Sequence, residues 1–267
     1  MMEAASPEEA KWCCAALYET DWARLMLGDS FHPGGLRSTD RLALLLGVDR
    51  QTEVLDVACG RGASALHLAT KFGCRITGID LSEHNVAVAT EAGREAGLEH
   101  LLDFRAGDGE SIPLADNSVD VVMCECSFCT FPAKERAMAE IARVLRPAGR
   151  FGLSDLTRAG DLPEEIDGLL AWVACIADAR PIDEYLDLLE NAGLLDPVIE
   201  PHDEALIEMV RSIKQKIQGA ELLFKLARQT QPTMDFGQAV GLAKSTERAV
   251  RDGLLGYALI VARRPHA

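Results

Sequence analysis

The run Val54-Leu55-Asp56-Val57-Ala58-Cys59-Gly60-Arg61-Gly62 ends an apolar stretch with an acid and then a turn carrying two glycines. Glycines there let the backbone pass close to a ligand and adopt dihedrals that other residues avoid. A ligand held by such a turn lies at the C-terminal edge of a sheet, over a helix N-terminus. Two cofactor classes use this geometry. Gly60-x-Gly62-x-x-Ala65 fits a relaxed dinucleotide fingerprint, and Asp80 closes the next apolar stretch, where a ribose-binding acid belongs. Asp56 favours the second class, because a carboxylate there would repel a pyrophosphate but suits an ammonium group. Ala106-Gly107-Asp108-Gly109-Glu110 can then bring Asp108 to an adenine amino group.

A second cluster is rich in sulfur: Met123-Cys124-Glu125-Cys126-Ser127-Phe128-Cys129. Strand side chains alternate, so Cys124 and Cys126 are expected on one face, with Cys129 in the loop that follows. Thiolates bind soft centres such as Zn(II), Cu(I) or As(III). Buried cysteines equally behave as small hydrophobes, and both readings stand here. A structural zinc site is disfavoured, since the cluster offers three ligands and no adjacent His against the usual four. No resident metal is expected. Glu125 is a candidate for contact with cofactor or acceptor. His32, in a Pro-Gly turn, could touch the acceptor.

These residues need a scaffold, and the pattern supplies one. Strands are predicted at 53–57, 75–80, 102–106, 119–126 and 150–154, with helices at 63–72, 83–97 and 132–145 between them. Alternation at this spacing predicts a doubly wound, mostly parallel sheet with helices on both faces. Two amphipathic helices, 7–27 and 37–47, would form an N-terminal helical cap over residues 1–50, followed by a main domain at 51–267. Beyond it, helices are expected at 164–177 and 182–192 and a sixth strand at 197–200. Leu206, Val210, Ile213, Ile217, Ala220 and Phe224 recur on one helix face, so 204–252 reads as a helical insertion before a last, antiparallel edge strand at 256–263. That face must be buried, over the acceptor pocket or in a homodimer.

Composition narrows the partners. The 267 residues carry 42 acidic and 27 basic side chains, a formal charge of −15. Nucleic-acid binding needs clustered Lys and Arg, so it is not expected, and an anionic membrane surface would repel the chain. No apolar run approaches the ~18 residues of a membrane span, and no leader pattern opens the chain. A cytoplasmic protein acting on a small-molecule acceptor is expected, its eight cysteines reduced.

The ordered motifs at 54–62, 75–80, 106–110 and 143–149 make the sequence resemble the class I S-adenosylmethionine-dependent methyltransferases. The resemblance covers about residues 50–155 and implies a Rossmann-like seven-stranded sheet with a reversed last strand. It implies S-adenosyl-L-methionine as cofactor, with Asp56, Ala58, Gly60, Gly62 and Cys124 bordering its methionine end. Asp80 would bind the ribose, Leu81 the adenine face, and Asp108 and Gly109 the exocyclic nitrogen. Ala58 stands where most members carry glycine. Leu162-Pro163-Glu164-Glu165-Ile166, Trp172 and Cys175-Ile176-Ala177-Asp178-Ala179 resemble arsenite methyltransferases, in which a cysteine matching Cys175 binds As(III). The family's cysteine after the glycine turn is Ala65 here. On that resemblance Cys126, Cys129 and Cys175 are the acceptor-binding candidates. Three rival readings are methylation of an ordinary carbon, oxygen, nitrogen or sulfur acceptor, a non-catalytic cofactor- or metal-sensing protein, and an NAD-dependent dehydrogenase.

Overall fold

A computed structural model of the chain describes residues 30–162, 178–226 and 235–266, together with 28, 166 and 176. The first cap helix, most of the segment at 164–177 and Cys175 lie outside the described residues.

Helix α1 (Leu36–Leu45) precedes strand β1 (Glu53–Val57), α2 (Ala63–Phe72), β2 (Arg75–Asp80), α3 (Glu83–Glu95) and β3 (Leu102–Ala106). Then come β4 (Val119–Glu125), a 3-10 turn (Phe128–Thr130), α4 (Lys134–Val144) and β5 (Leu145–Arg158). Helix α5 (Ile182–Asn191), β6 (Leu195–Pro201), α6 (Asp203–Leu226), α7 (Phe236–Arg251) and β7 (Leu255–Arg263) complete the order. The seven strands form one sheet in the order β3-β2-β1-β4-β5-β7-β6. Strands β1 to β5 pair in parallel, and β7 runs antiparallel to both β5 and β6. The last strand is therefore reversed as expected, but it is not the edge. Strand β6 takes the edge, and Pro197 and Pro201 within it remove two ladder donors. β5 also runs well past the expected 150–154, because β7 pairs with it over Arg150–Arg158.

Local signals explain the helices. Ser82 caps α3 by accepting the Asn85 N–H at 3.0 Å, and Asp235 caps α7 through Gln238. Gly73 closes α2 in a left-handed conformation. Two apolar layers sandwich the sheet. One joins Leu42 and Leu46 of α1 to Val54, Met123, Leu68, Leu206, Val210, Tyr257 and Leu259. The other joins Val57, Val122, Cys124, Met138, Ile141, Phe151, Tyr185 and Ile260.

α1 matters for the site because it roofs the sheet edge. It lies flat on β5, where a β-carbon at Gly152 would stand 2.6 Å from Leu46. Burial of Leu42 and Leu46 supplies roughly 1.5–3 kcal/mol each. The bidentate Arg41–Glu200 pair is partly exposed and worth at most about 1 kcal/mol, so packing places α1 and the ion pair only tunes its angle.

From Leu206 to Ile217 the apolar face of α6 is covered within the chain: Leu206 and Val210 join the sheet layer and Ile217 packs on Ala239 of α7. Leu222 and Leu223 near the C-terminal end of α6 are exposed. Among the described residues no helix is long and apolar enough to cross a membrane.

Candidate functional site

The C-terminal edges of β1, β2 and β4 open into a cleft. Asp56, Ala58, Gly60, Asp80, Leu81, Asp108, Gly109, Glu125 and Cys126 all line it, so the structure gathers most of the expected site residues in one place. Gly62 sits just behind, as the N-cap of α2 with φ 78°. A β-carbon there would stand 2.9 Å from both Ala89 and Phe104, so only glycine fits the turn.

Asp80 organises the turn. Its Oδ2 accepts the Gly60 N–H at 2.8 Å and its Oδ1 accepts the Ser82 N–H at 2.9 Å, with Asn85 Nδ2 at 3.4 Å. Asp108 is similarly set by its own loop, Oδ1 accepting the Glu110 N–H at 2.9 Å.

Asp56 is different. It is buried at the end of β1, and its carboxylate makes no hydrogen bond among the described residues. Burial raises its pKa well above the usual carboxylate range, and the charges of Glu125 and Asp80 raise it further. Three carboxylates thus converge on one cleft, which suits a cationic ligand.

Glu125 closes β4 and is held from three directions. Ser64 Oγ donates to its Oε2 at 2.6 Å, and Thr39 Oγ1 of α1 lies 3.1 and 3.2 Å from its two oxygens. His32 Nε2 lies 3.3 Å from Thr39 Oγ1 and 3.7 Å from Glu125 Oε2. With the single Thr39 hydrogen spent on the carboxylate, the imidazole supplies the hydrogen at Nε2. Thr39 and Ser64 had no role in the sequence reading. A hydroxyl in the first turn after Gly62 was the only local hint of Ser64.

The cysteines do not behave as strand alternation predicts. Cys124 is fully buried among the β4 layer residues, its thiol 3.4 Å from Ser127 Oγ, and burial pushes that thiol far up. Cys126 leaves the strand with φ 52° and packs against the opposite layer, so the two thiols do not share a face. Cys129 is fully buried, and its N–H donates to Asp155 Oδ2 at 2.7 Å. Of the three sulfurs only Cys126 lines the cleft. Cys59, in the glycine turn, lines it too, and burial keeps its thiol protonated. Among the described residues no group of three His, Cys, Asp or Glu side chains could hold a metal ion.

Backbone strain concentrates here. Of the non-glycine residues with positive φ, Phe31 (55°), Ala58 (59°) and Cys126 (52°) all line the cleft. Residues held in this region cluster at ligand sites, where surrounding packing can sustain the cost.

Comparison with known proteins agrees with this geometry. The family described as "Methyltransferase domain" matches residues 55–153, the stretch from β1 to β5. The chain is 35% identical over 169 residues to "Methyltransferase GfsG" of Streptomyces halstedii, covering 62% of this chain and 61% of that protein. It is 35% identical over 189 residues to a sarcosine/dimethylglycine N-methyltransferase of Halorhodospira halochloris, covering 69% and 67%. An arsenite methyltransferase of Halobacterium salinarum is 31% identical over 158 residues, 57% of this chain and 39% of that one. The matches therefore span about two thirds or less of these relatives' own lengths. In three dimensions the [4+2]-cyclase SpnF overlays with a TM-score of 0.77 at 24% identity, covering 99% and 98% of the two chains.

Proposed function

Because the chain belongs to the S-adenosylmethionine-dependent methyltransferase family, we propose that it methylates a small organic molecule at an oxygen, nitrogen or carbon atom. The observation that carries this reading is the cleft itself, with Asp56, Asp80 and Glu125 converging beside the glycine turn. The residues fit the donor: Asp56 lines the cleft with no hydrogen bond to its carboxylate among the described residues, which suits an ammonium or sulfonium binder. On this reading Asp80 holds ribose hydroxyls, Asp108 and Gly109 border the adenine nitrogen, and Leu81 packs on the ring; that all four line one cleft supports it.

S-adenosyl-L-methionine supplies a methyl group already activated on a positively charged sulfur. What the chain must add is alignment and exclusion of water, worth up to ~7–11 kcal/mol of the barrier. The acidic wall of Asp56 and Glu125 tolerates the incoming positive charge.

Methylation of a thiol-bound As(III) is the second reading, and one observation favours it: Cys126 lines the cleft. Against it, Cys124 and Cys129 are fully buried and point their packing into separate layers. A soft centre prefers about three sulfur ligands, which these positions do not offer together.

Transfer of labelled methyl from S-adenosyl-L-methionine to a panel of phenol, alcohol, secondary amine, thiol and As(III) acceptors tests both readings. Turnover of an oxygen, nitrogen or carbon acceptor that survives Cys126→Ser supports the first. Turnover of As(III) alone, lost in Cys126→Ser, would replace it with the second.

A further inference from the structure

Phe31 holds a conformation that any residue with a β-carbon adopts at a cost, φ 55°, within the wall of the cleft. Such a conformation persists only where neighbouring contacts over-determine it. The next residue provides them. His32 is 5% exposed, with Nε2 against Thr39 and Glu125. Glu125 is itself fixed at the end of β4 by Ser64 and Thr39. A rigid strand end therefore grips His32, and His32 fixes the residue before it.

Phe31 also faces the glycine turn. A β-carbon built on Gly60 would meet Phe31 Cδ2 at 3.9 Å, ordinary van der Waals contact. The ring lies beside the turn in the lining of the same cleft as Asp56 and Glu125. An aromatic face holds a cation more strongly than a neutral thioether of the same shape, which keeps only the weaker sulfur–aromatic contact.

We infer that Phe31 is a specificity-determining wall that selects the positively charged sulfonium donor over its uncharged thioether product, and that the His32–Glu125 contact is the latch holding it there. The inference rests on the methyl-transfer reading above. It also gives the latch a task in turnover: discharge of the sulfur weakens the attraction, so product leaves more readily than donor.

Calorimetry with S-adenosyl-L-methionine and with S-adenosylhomocysteine tests it. Phe31→Leu keeps apolar bulk and removes the ring, so donor affinity should fall about five- to tenfold while product affinity stays within twofold. His32→Leu should reproduce that selective loss, and His32→Gln, which restores a donor near the Nε2 position, should recover part of it. Equal losses for both ligands, or none for either, would overturn the selection. The strain has its own readout in the ligand-free protein. Phe31→Gly should unfold at a temperature at least as high as Phe31→Ala, because glycine accepts positive φ freely. A clearly higher midpoint for the alanine variant would overturn the latch. If the wild-type chain binds neither nucleoside, the methyl-transfer reading itself fails; if it binds both and Phe31→Leu leaves their ratio unchanged, only the selection fails.

Discussion

Asp80 Oδ2 accepts the backbone N–H of Gly60 at 2.8 Å, which ties the end of β2 to the glycine turn after β1. The acid expected to hold a ribose is thus also the anchor of the turn that must approach the rest of the cofactor. Its other oxygen holds Ser82 N–H, the N-cap of α3, so three segments meet on one carboxylate.

That double duty sets the outcome of substitution at this position. Hydrogen bonds to a charged acceptor are worth about 1.5–3 kcal/mol each, so Asp80→Ala should lose S-adenosyl-L-methionine binding and also destabilise the fold. Asp80→Asn leaves one oxygen and turns an amide N–H toward one of the two backbone donors. Donor affinity should fall at least tenfold, with a smaller loss of stability than in the alanine variant. Calorimetry and thermal unfolding of the two variants check this; unchanged affinity in both would remove Asp80 from the cofactor site.

Asp56 predicts a pH dependence. Burial, then the Glu125 and Asp80 charges, hold its pKa above the unfolded value. The folded protein therefore binds this proton more tightly than the unfolded chain does. Its contribution to stability is full below the unfolded pKa of about 4 and is lost as pH rises through the folded one. The ligand-free protein should lose stability across that window, and Asp56→Asn should flatten the loss. A cationic ligand favours the ionised carboxylate, so binding should release a proton. Heats of binding measured in two buffers of unequal ionisation enthalpy should differ for the wild type and converge for Asp56→Asn. Convergence in the wild type would contradict the role.

The glycine turn offers two substitutions of opposite sign. Ala58 sits at φ 59°, a region that costs an L-residue roughly 1–2 kcal/mol. Glycine would relieve that but adds freedom to the unfolded chain worth about 0.4–1 kcal/mol. Ala58→Gly should therefore be neutral to slightly stabilising and retain cofactor binding. Gly62→Ala meets both a φ of 78° and atoms at 2.9 Å, so a loss of about 2–4 kcal/mol is expected. Urea unfolding with an unchanged slope would rank the pair, and a stable Gly62→Ala protein would refute the packing argument.

How much of this was legible in the sequence follows from the range of the interactions. Strands β1, β2 and β4 and the acids at or near their ends were readable, because each is a local apolar run carrying a carboxylate at its C-terminal end. The position of β7 inside the sheet was not, since pairing with β5 on one side and β6 on the other is decided by residues far apart in the chain. Alternation put Cys124 and Cys126 on one face; a single left-handed residue, Cys126, undid it. Thr39 and Ser64 carry no local mark of their task. They become partners of Glu125 only when α1 and α2 pack at the same sheet edge.

Lys134 was equally invisible, since one cation at a helix start reads as a solvated side chain. In the fold it is 7% exposed, and its Nζ donates to the carbonyl oxygens of Cys129 at 2.7 Å and Phe131 at 2.9 Å. Asp178 Oδ2 completes the cage at 2.5 Å, so the cation is paired and three acceptors are satisfied at once. The grip spans the 3-10 turn after β4, on which Thr130 and Phe131 reach the cleft. Lys134→Met keeps the aliphatic volume but strands two buried carbonyls and leaves Asp178 with Arg180 as its remaining cation. Breaking a buried pair from one side costs about 3–5 kcal/mol. Partial exposure of Asp178 moves the expected loss toward the lower end of that range. Hydrogen exchange should show faster opening confined to 127–133, with donor affinity reduced less than acceptor turnover, because the turn borders the cleft without forming the Asp80 or Gly60 contacts. Wild-type exchange rates in that turn, together with full stability, would mean that Lys134 merely fills space.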